Sequence, residues 1–175
     1  MLYEFDGQRP TVGEGTYVSE LADVIGDVRI GRNCYIGHRA VLRGDYGRIE
    51  IGDETAVEEG VIIHSPPQEV CSIGRRTTMG HGAIIHAKVM KDNCVIGMGA
   101  VVSLWAEIGE WAIVAEGSVV KLRDVVPDRV MVAGAPAKVI RPLEPKDEKM
   151  WNWGKQLYID LAARYLRCGG LKPLK

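Results

Sequence analysis

Phenylalanine is nearly missing from this chain, at one residue in 175. A core made without it must use small aliphatic side chains, which points to thin, regular layers. Charge of one sign is missing as well. The formal net charge is −1, which leaves no electrostatic footprint for nucleic acid or an anionic membrane surface. No apolar run reaches the roughly 18 residues that a bilayer-spanning helix needs. The start, Met1-Leu2-Tyr3-Glu4-Phe5-Asp6, has neither the basic nor the apolar stretch of a secretory signal, so a cytoplasmic location is expected. Cys34, Cys71, Cys94 and Cys168 form no C-x-x-C pair and are expected as free thiols of a reducing compartment. With 46% hydrophobic and 26% charged residues, the chain is not disordered.

What the chain does have is glycine, 21 residues of it, and a period of six. Aliphatic residues or Met stand at 12, 18, 24, 30, 36 and 42, then at 51, 57 and 63, then at 73, 79 and 85. They resume at 90, 96, 102, 108, 114, 120, 126 and 132. A small or β-branched residue usually follows four places later. Neither helical periodicity nor plain alternation gives this pattern. A six-residue repeat predicts a parallel β-helix. Each hexapeptide is one short strand and a corner, and three close a triangular coil, so the repeats make about six to seven coils. The aliphatic residue is expected to point inward, with the small one filling the taper. Cys34 and Cys94 fall at that small position, as buried hydrophobes.

Breaks in the period predict loops, between Leu42 and Ile51 and between Ile63 and Ile73. The second contains Ser65-Pro66-Pro67-Gln68-Glu69-Val70, an excursion from a corner. Cys71 is placed in that loop. Gly134-Ala135-Pro136-Ala137-Lys138 leaves the coil. A helix is predicted from about Pro145 to Cys168. Met150, Trp153, Leu157, Leu161 and Tyr165 recur at threes and fours, so this stripe is expected to pack on the coil. Trp151 and Trp153 are read as packing residues. The division is a β-helix domain over 1–143 and a helix with tail over 144–175.

Coil register makes the histidines informative. Residues one coil apart stack about 4.8 Å apart. Allowing for the insertions, Arg43, His64 and His86 fall in one vertical column, and adjacent imidazoles at that spacing can share a metal ion. His81 falls in another column, over Glu59 and His38, too far to join the pair in its own chain. In a three-fold trimer, His81 of one subunit can meet His64 and His86 of the next. Three imidazoles with an open fourth position is a catalytic zinc arrangement.

From about residue 10 to 165 the chain resembles the γ-class carbonic anhydrase family of hexapeptide-repeat proteins. The matching segments are Val41-Leu42-Arg43-Gly44-Asp45, Gly60-Val61-Ile62-Ile63-His64, Gly80-His81-Gly82-Ala83-Ile84-Ile85-His86, Ile96-Gly97-Met98-Gly99-Ala100 and the Ala-Pro-Ala-Lys turn. The resemblance implies a left-handed coil and a homotrimer. It also implies zinc (iron or cobalt in some members) held by His64 and His86 with His81 across the interface. Arg43 and Asp45 look like the pair that makes intersubunit contacts and shapes the pocket. The reaction implied is hydration of CO2 to bicarbonate by metal-activated water, with no nucleic acid or membrane partner.

The chain also departs from the family. Where the family commonly reads Thr-Asn-Ile-Gln-Asp-Gly, this chain reads Thr55-Ala56-Val57-Glu58-Glu59-Gly60. Glu58 therefore stands beside the water site, as a base or shuttle, a metal ligand or a group that disfavours bicarbonate. Tyr46 replaces an acidic residue, and the acidic shuttle loop is reduced to Glu69. Tyr158, by resemblance to short family members, reaches toward the metal pocket, which makes Glu58 and Tyr158 the candidate catalytic side chains. Two alternatives stand beside carbonic anhydrase. One is an acyl-CoA thioesterase or acyltransferase-like enzyme, the other a non-catalytic metal-binding protein.

Overall fold

A computed structural model describes residues 1–174. The chain is a parallel β-solenoid of about seven turns followed by one helix. Inward-facing residues stack in three columns. The first runs Val24, Leu42, Ile63, Ile85, Val102, Val120. The second runs Val12, Ile30, Ile51, Ile73, Met90, Ile108, Val126. The third runs Val18, Ile36, Val57, Met79, Ile96, Val114, Val132. All twenty positions of the period lie in these columns. All are buried except Val12, which is 38% exposed, and Val18, which is half-buried. Those two form the first rung of their columns, with no rung beneath to cover them. Cys34 and Cys94 are fully buried at the small position, and burial pushes each thiol up to about 11. At the far end Lys138–Pro142 turns back antiparallel on Val130–Ala133.

The expected loop between Leu42 and Ile51 is not a loop. Val41–Ile51 is one continuous strand that turns a corner, paired with Asp23–Ile30 through a register shift near Gly26. The extra residues therefore bulge the strand and carry Asp45 beside His64. Gly47 sits where the second excursion crosses, and a Cβ there would collide with the carbonyls of Pro66 and Glu69. Cys71 is likewise not in the loop. It lies in strand Val70–Ile73, paired with Ile49 and fully buried, because the excursion ends one residue earlier than its composition suggests.

The helix spans Pro145–Cys168, opens with a Glu144/Asp147 capping box and closes on Gly169 in the left-handed conformation (φ 72°). It runs back along the third face, where Tyr158, Leu161, Ala162 and Tyr165 pack on Tyr17, Tyr35 and Ala56. Its buried residues are Asp147, Lys155 and Ala162. The expected apolar stripe is mostly on the other side. Met150, Trp153 and Leu157 are exposed at 54%, 66% and 46%, so Trp153 does not pack, whereas Trp151 is half-buried beside Lys155. The coil already presents Tyr17 and Tyr35 outward, and the helix meets them with tyrosines and an alanine rather than with its most apolar side. No described helix is long and apolar enough to cross a membrane.

Candidate functional site

Two corners of the solenoid carry the chemistry, and the first face lies between them. At one edge Arg43 pairs with His64 in adjacent rungs. The His64 and His86 rings sit edge to face with centroids 4.9 Å apart. Arg43 bonds Asp45 at 2.7 Å and lies 3.3 Å from His64 Nδ1. A guanidinium can only donate, so Nδ1 accepts and the His64 Nε2 proton goes to Asp45 Oδ1, 3.0 Å away. Burial pushes the Asp45 carboxyl up, but the Arg43 and His64 contacts outweigh it and hold it below the usual range. His86 makes no ring hydrogen bond among the described residues. Burial, then His64, then Arg43 hold its pKa low, which keeps the imidazole neutral and its lone pair available.

At the other edge, successive corners stack as expected. Gly60 N–H donates to His38 O and Gly82 N–H to Glu59 O. His81 stands on this corner between two carboxylates. Its Nε2 is 3.1 Å from Glu58 Oε2, and its Nδ1 is 2.8 Å from Glu59 Oε2. Glu58 is buried, and burial raises its pKa against the pull of His81. The same carboxyl accepts the His81 backbone N–H and lies against the Tyr158 hydroxyl. Tyr35 donates to Glu59 Oε1 at 2.6 Å. Burial pushes Glu59 up, but the Tyr35 bond and its other contacts bring it below the usual range. His38 bonds Ser19 and Tyr165 and is a helix anchor.

The structure thus brings Arg43, Asp45, His64 and His86 together at one edge, and Glu58, Tyr158 and His81 at the other. It does not bring the three histidines together within one chain. Among the described residues, no group of three His, Cys, Asp or Glu can hold a metal. The residues fit a divided zinc site once Arg43 leaves His64 Nδ1, since both ring nitrogens of His64 are engaged here. The donor set is three imidazoles, and Glu59 sits at His81 Nδ1, where a ligating histidine needs an orienting acceptor.

Sequence reasoning missed Tyr35 and Trp105. Tyr35 was signalled by standing at the outward position of the repeat one coil after Tyr17. Trp105 donates its backbone N–H to His86 O. Its ring lies under the Arg123 guanidinium at 4.6 Å. With Glu69, Lys88, Glu107 and Arg123 it lines a cavity of about 360 Å³.

The outward residues of the first face are Val41, Ile62, Ile84, Val101 and Val119, an aliphatic ladder. Ile62 and Ile84 are 42% and 40% exposed. The second face shows Arg29, Glu50, Ser72, Val89, Glu107 and Val125 in the same register, a mixture of charged and aliphatic residues.

Residues 9–44 match the bacterial transferase hexapeptide (six repeats) model, and residues 27–65 and 70–104 match the hexapeptide repeat of succinyl-transferase. The carnitine operon protein CaiE of Citrobacter koseri is 38% identical over 93% of this chain and 82% of its own. A carbonic anhydrase of Geobacillus kaustophilus is 30% identical over 94% of this chain and 91% of its own. The crystal structure of a hexapeptide transferase family protein from Anaplasma phagocytophilum superposes with a TM-score of 0.89. It is 31% identical, over 94% of this chain and 98% of that one.

Proposed function

Given that the chain belongs to the γ-carbonic-anhydrase-like family of hexapeptide-repeat proteins, CaiE included, we propose that it is a metal-dependent enzyme that hydrates CO2 to bicarbonate at the interfaces of a homotrimer. One observation carries this reading. The bare aliphatic ladder has His81 at one edge and His64 with His86 at the other. Burying an apolar ladder between copies drives association, and a closed ring then sets one edge against the opposite edge of its neighbour.

His64 and His86 of one subunit and His81 of the next would hold zinc, with iron or cobalt as substitutes. Bound zinc supplies Lewis-acid activation of water toward CO2. The chain's own residues do the rest. Asp45 fixes the His64 ring, and Arg43 holds Asp45. Glu58 Oε2 accepts the proton that hydration releases, since burial raises that carboxyl's affinity for one. Tyr158, whose hydroxyl burial keeps protonated, holds that carboxyl in place. Glu58→Gln then lowers kcat about 100-fold, with KM nearly unchanged. Stopped-flow kinetics at saturating CO2 measure it.

The cavity of about 360 Å³ lined by Trp105, whose backbone N–H bonds His86 O, favours a second reading. It exceeds what CO2 needs, and the transferase likeness is as close as the carbonic anhydrase one. That reading is hydrolysis or transfer of an acyl thioester. Stopped-flow CO2 hydration beside acyl-CoA turnover, on protein of known metal content with a His81→Ala control, separates the two. Hydration lost in the variant supports the carbonic anhydrase reading. Thioester turnover without hydration supports the other.

A further inference from the structure

Resting on the divided metal site proposed above, we infer that Tyr35 is a positioning residue for His81, acting through Glu59. His81 stands on an exposed corner, its side chain 46% exposed, followed by Gly82 in a left-handed turn. Glu58 faces its Nε2 at 3.1 Å, and no other described group of the coil core holds the ring. Its Nδ1 is held by Glu59, and a glutamate side chain is itself flexible and costly to order. Tyr35 removes that freedom. Its hydroxyl donates to Glu59 Oε1 at 2.6 Å, which leaves Oε2 facing His81 Nδ1 at 2.8 Å. One oxygen is pinned, and the other becomes a fixed acceptor.

The anchor is rigid. Tyr35 is 2% exposed. Its ring lies between those of Tyr17, Tyr158 and Tyr165, at 5.8, 5.3 and 6.1 Å. Burial and the Glu59 charge keep the phenol protonated, so it remains a donor. The chain of contacts therefore runs from the helix-packed interior of the third face to the corner of the first. It fixes one acceptor at Nδ1, while Glu58 offers a second at Nε2 in the metal-free chain, so Nε2 is freed for a metal only when Glu58 is displaced.

Tyr35→Phe removes one hydroxyl and keeps the packing. Two readouts decide the role. The first uses metal-free protein with Glu58→Ala in every arm, which removes the competing acceptor at Nε2: two-bond ¹⁵N–¹H NMR correlations of the His81 ring at pH 8, which report the nitrogen carrying the proton. With Tyr35 intact the proton is expected on Nδ1, and Tyr35→Phe is expected to lose that preference. The second is affinity for zinc alone, by chelator competition, expected to fall about 10- to 100-fold in the variant. Tyr17→Phe is the control. Tyr17 belongs to the same ring cluster, but its hydroxyl donates to Glu20, so neither readout is expected to move. An unchanged His81 spectrum in Tyr35→Phe overturns the inference, as does an equal change in Tyr17→Phe. If wild-type protein takes up no zinc, the divided metal site fails and the NMR readout alone still decides the role of Tyr35.

Discussion

The helix-covered face and the histidine-edged face show the same position of the repeat to the outside. On the first, that position holds Tyr17, Tyr35, Ala56, Thr78, Val95 and Ile113, all buried, and the chain's own helix packs on Tyr17, Tyr35 and Ala56. On the second it holds Val41, Ile62, Ile84 and Val101, and nothing in the chain covers them. The covered face is mixed and hydrogen-bonded, with Tyr35, Glu59 and His38 all engaged. The bare face is plainly apolar, and its polar groups are gathered at its two edges. A surface meant to meet its own chain can be polar, because its partner is always present. The proposed assembly rests on that contrast: a surface left apolar between two sets of histidines, with nothing of its own chain to cover it.

The comparison breaks most severely with Ile62→Glu and Ile84→Glu together. Two carboxylates in the ladder cannot be buried unpaired, so assembly should fall to monomer, with metal binding and hydration lost and circular dichroism unchanged. Sedimentation with metal analysis checks this. A trimer that survives both charges would mean that the ladder is not the interface.

The covered face has its own weak point. Lys155 is 1% exposed, lies between the Trp111 and Trp151 rings at 5.8 and 5.9 Å, and donates to Cys94 O. Burial lowers its pKa from 10.5 to about 8. The unfolded chain therefore binds the proton more tightly. The penalty is fully present below pH 8 and is relieved as pH rises from 8 toward 10.5, where stability increases. Lys155→Met should stabilise the fold at pH 7 by about 1–3 kcal/mol and remove that rise. Denaturant melts at pH 7 and pH 10 measure both. A variant less stable at pH 7 would show that the cation–π contacts outweigh the desolvation.

A contrast between two rungs, one of them with the smallest effect of all, separates the ends of the coil from its middle. Ile63→Ala, in a fully buried rung, should cost about 2–5 kcal/mol. Val12→Ala, on the uncovered first rung, should cost about 0.5 kcal/mol or less. Equal losses would mean that the first rung is as well packed as the middle.

Much of this was legible in the residues. A period of six sets the columns, and the column arithmetic alone stacks Arg43, His64 and His86 and sets His81 apart. The helix was legible in extent but not in facing. The stripe rule assumes that the most apolar side turns inward, whereas here Lys155, Tyr158 and Ala162 do, because the coil face already offers tyrosines and carboxylates. The strand through Asp45 was hidden because three extra residues look the same whether they loop out or bulge. Tyr35 was hidden because its partner lies 24 residues on, around a corner, where side-chain direction rather than spacing decides contact.

Mixing two inactive variants tests the divided site most directly. His81→Ala keeps the histidine pair, and His64→Ala/His86→Ala keeps the third ligand. If the histidines meet between subunits across the aliphatic face, co-refolded equimolar protein should regain zinc at about a quarter of its sites by random assortment in a closed ring, and each variant alone should regain none. A mixture that binds no more zinc than its separate components would contradict a site shared between copies.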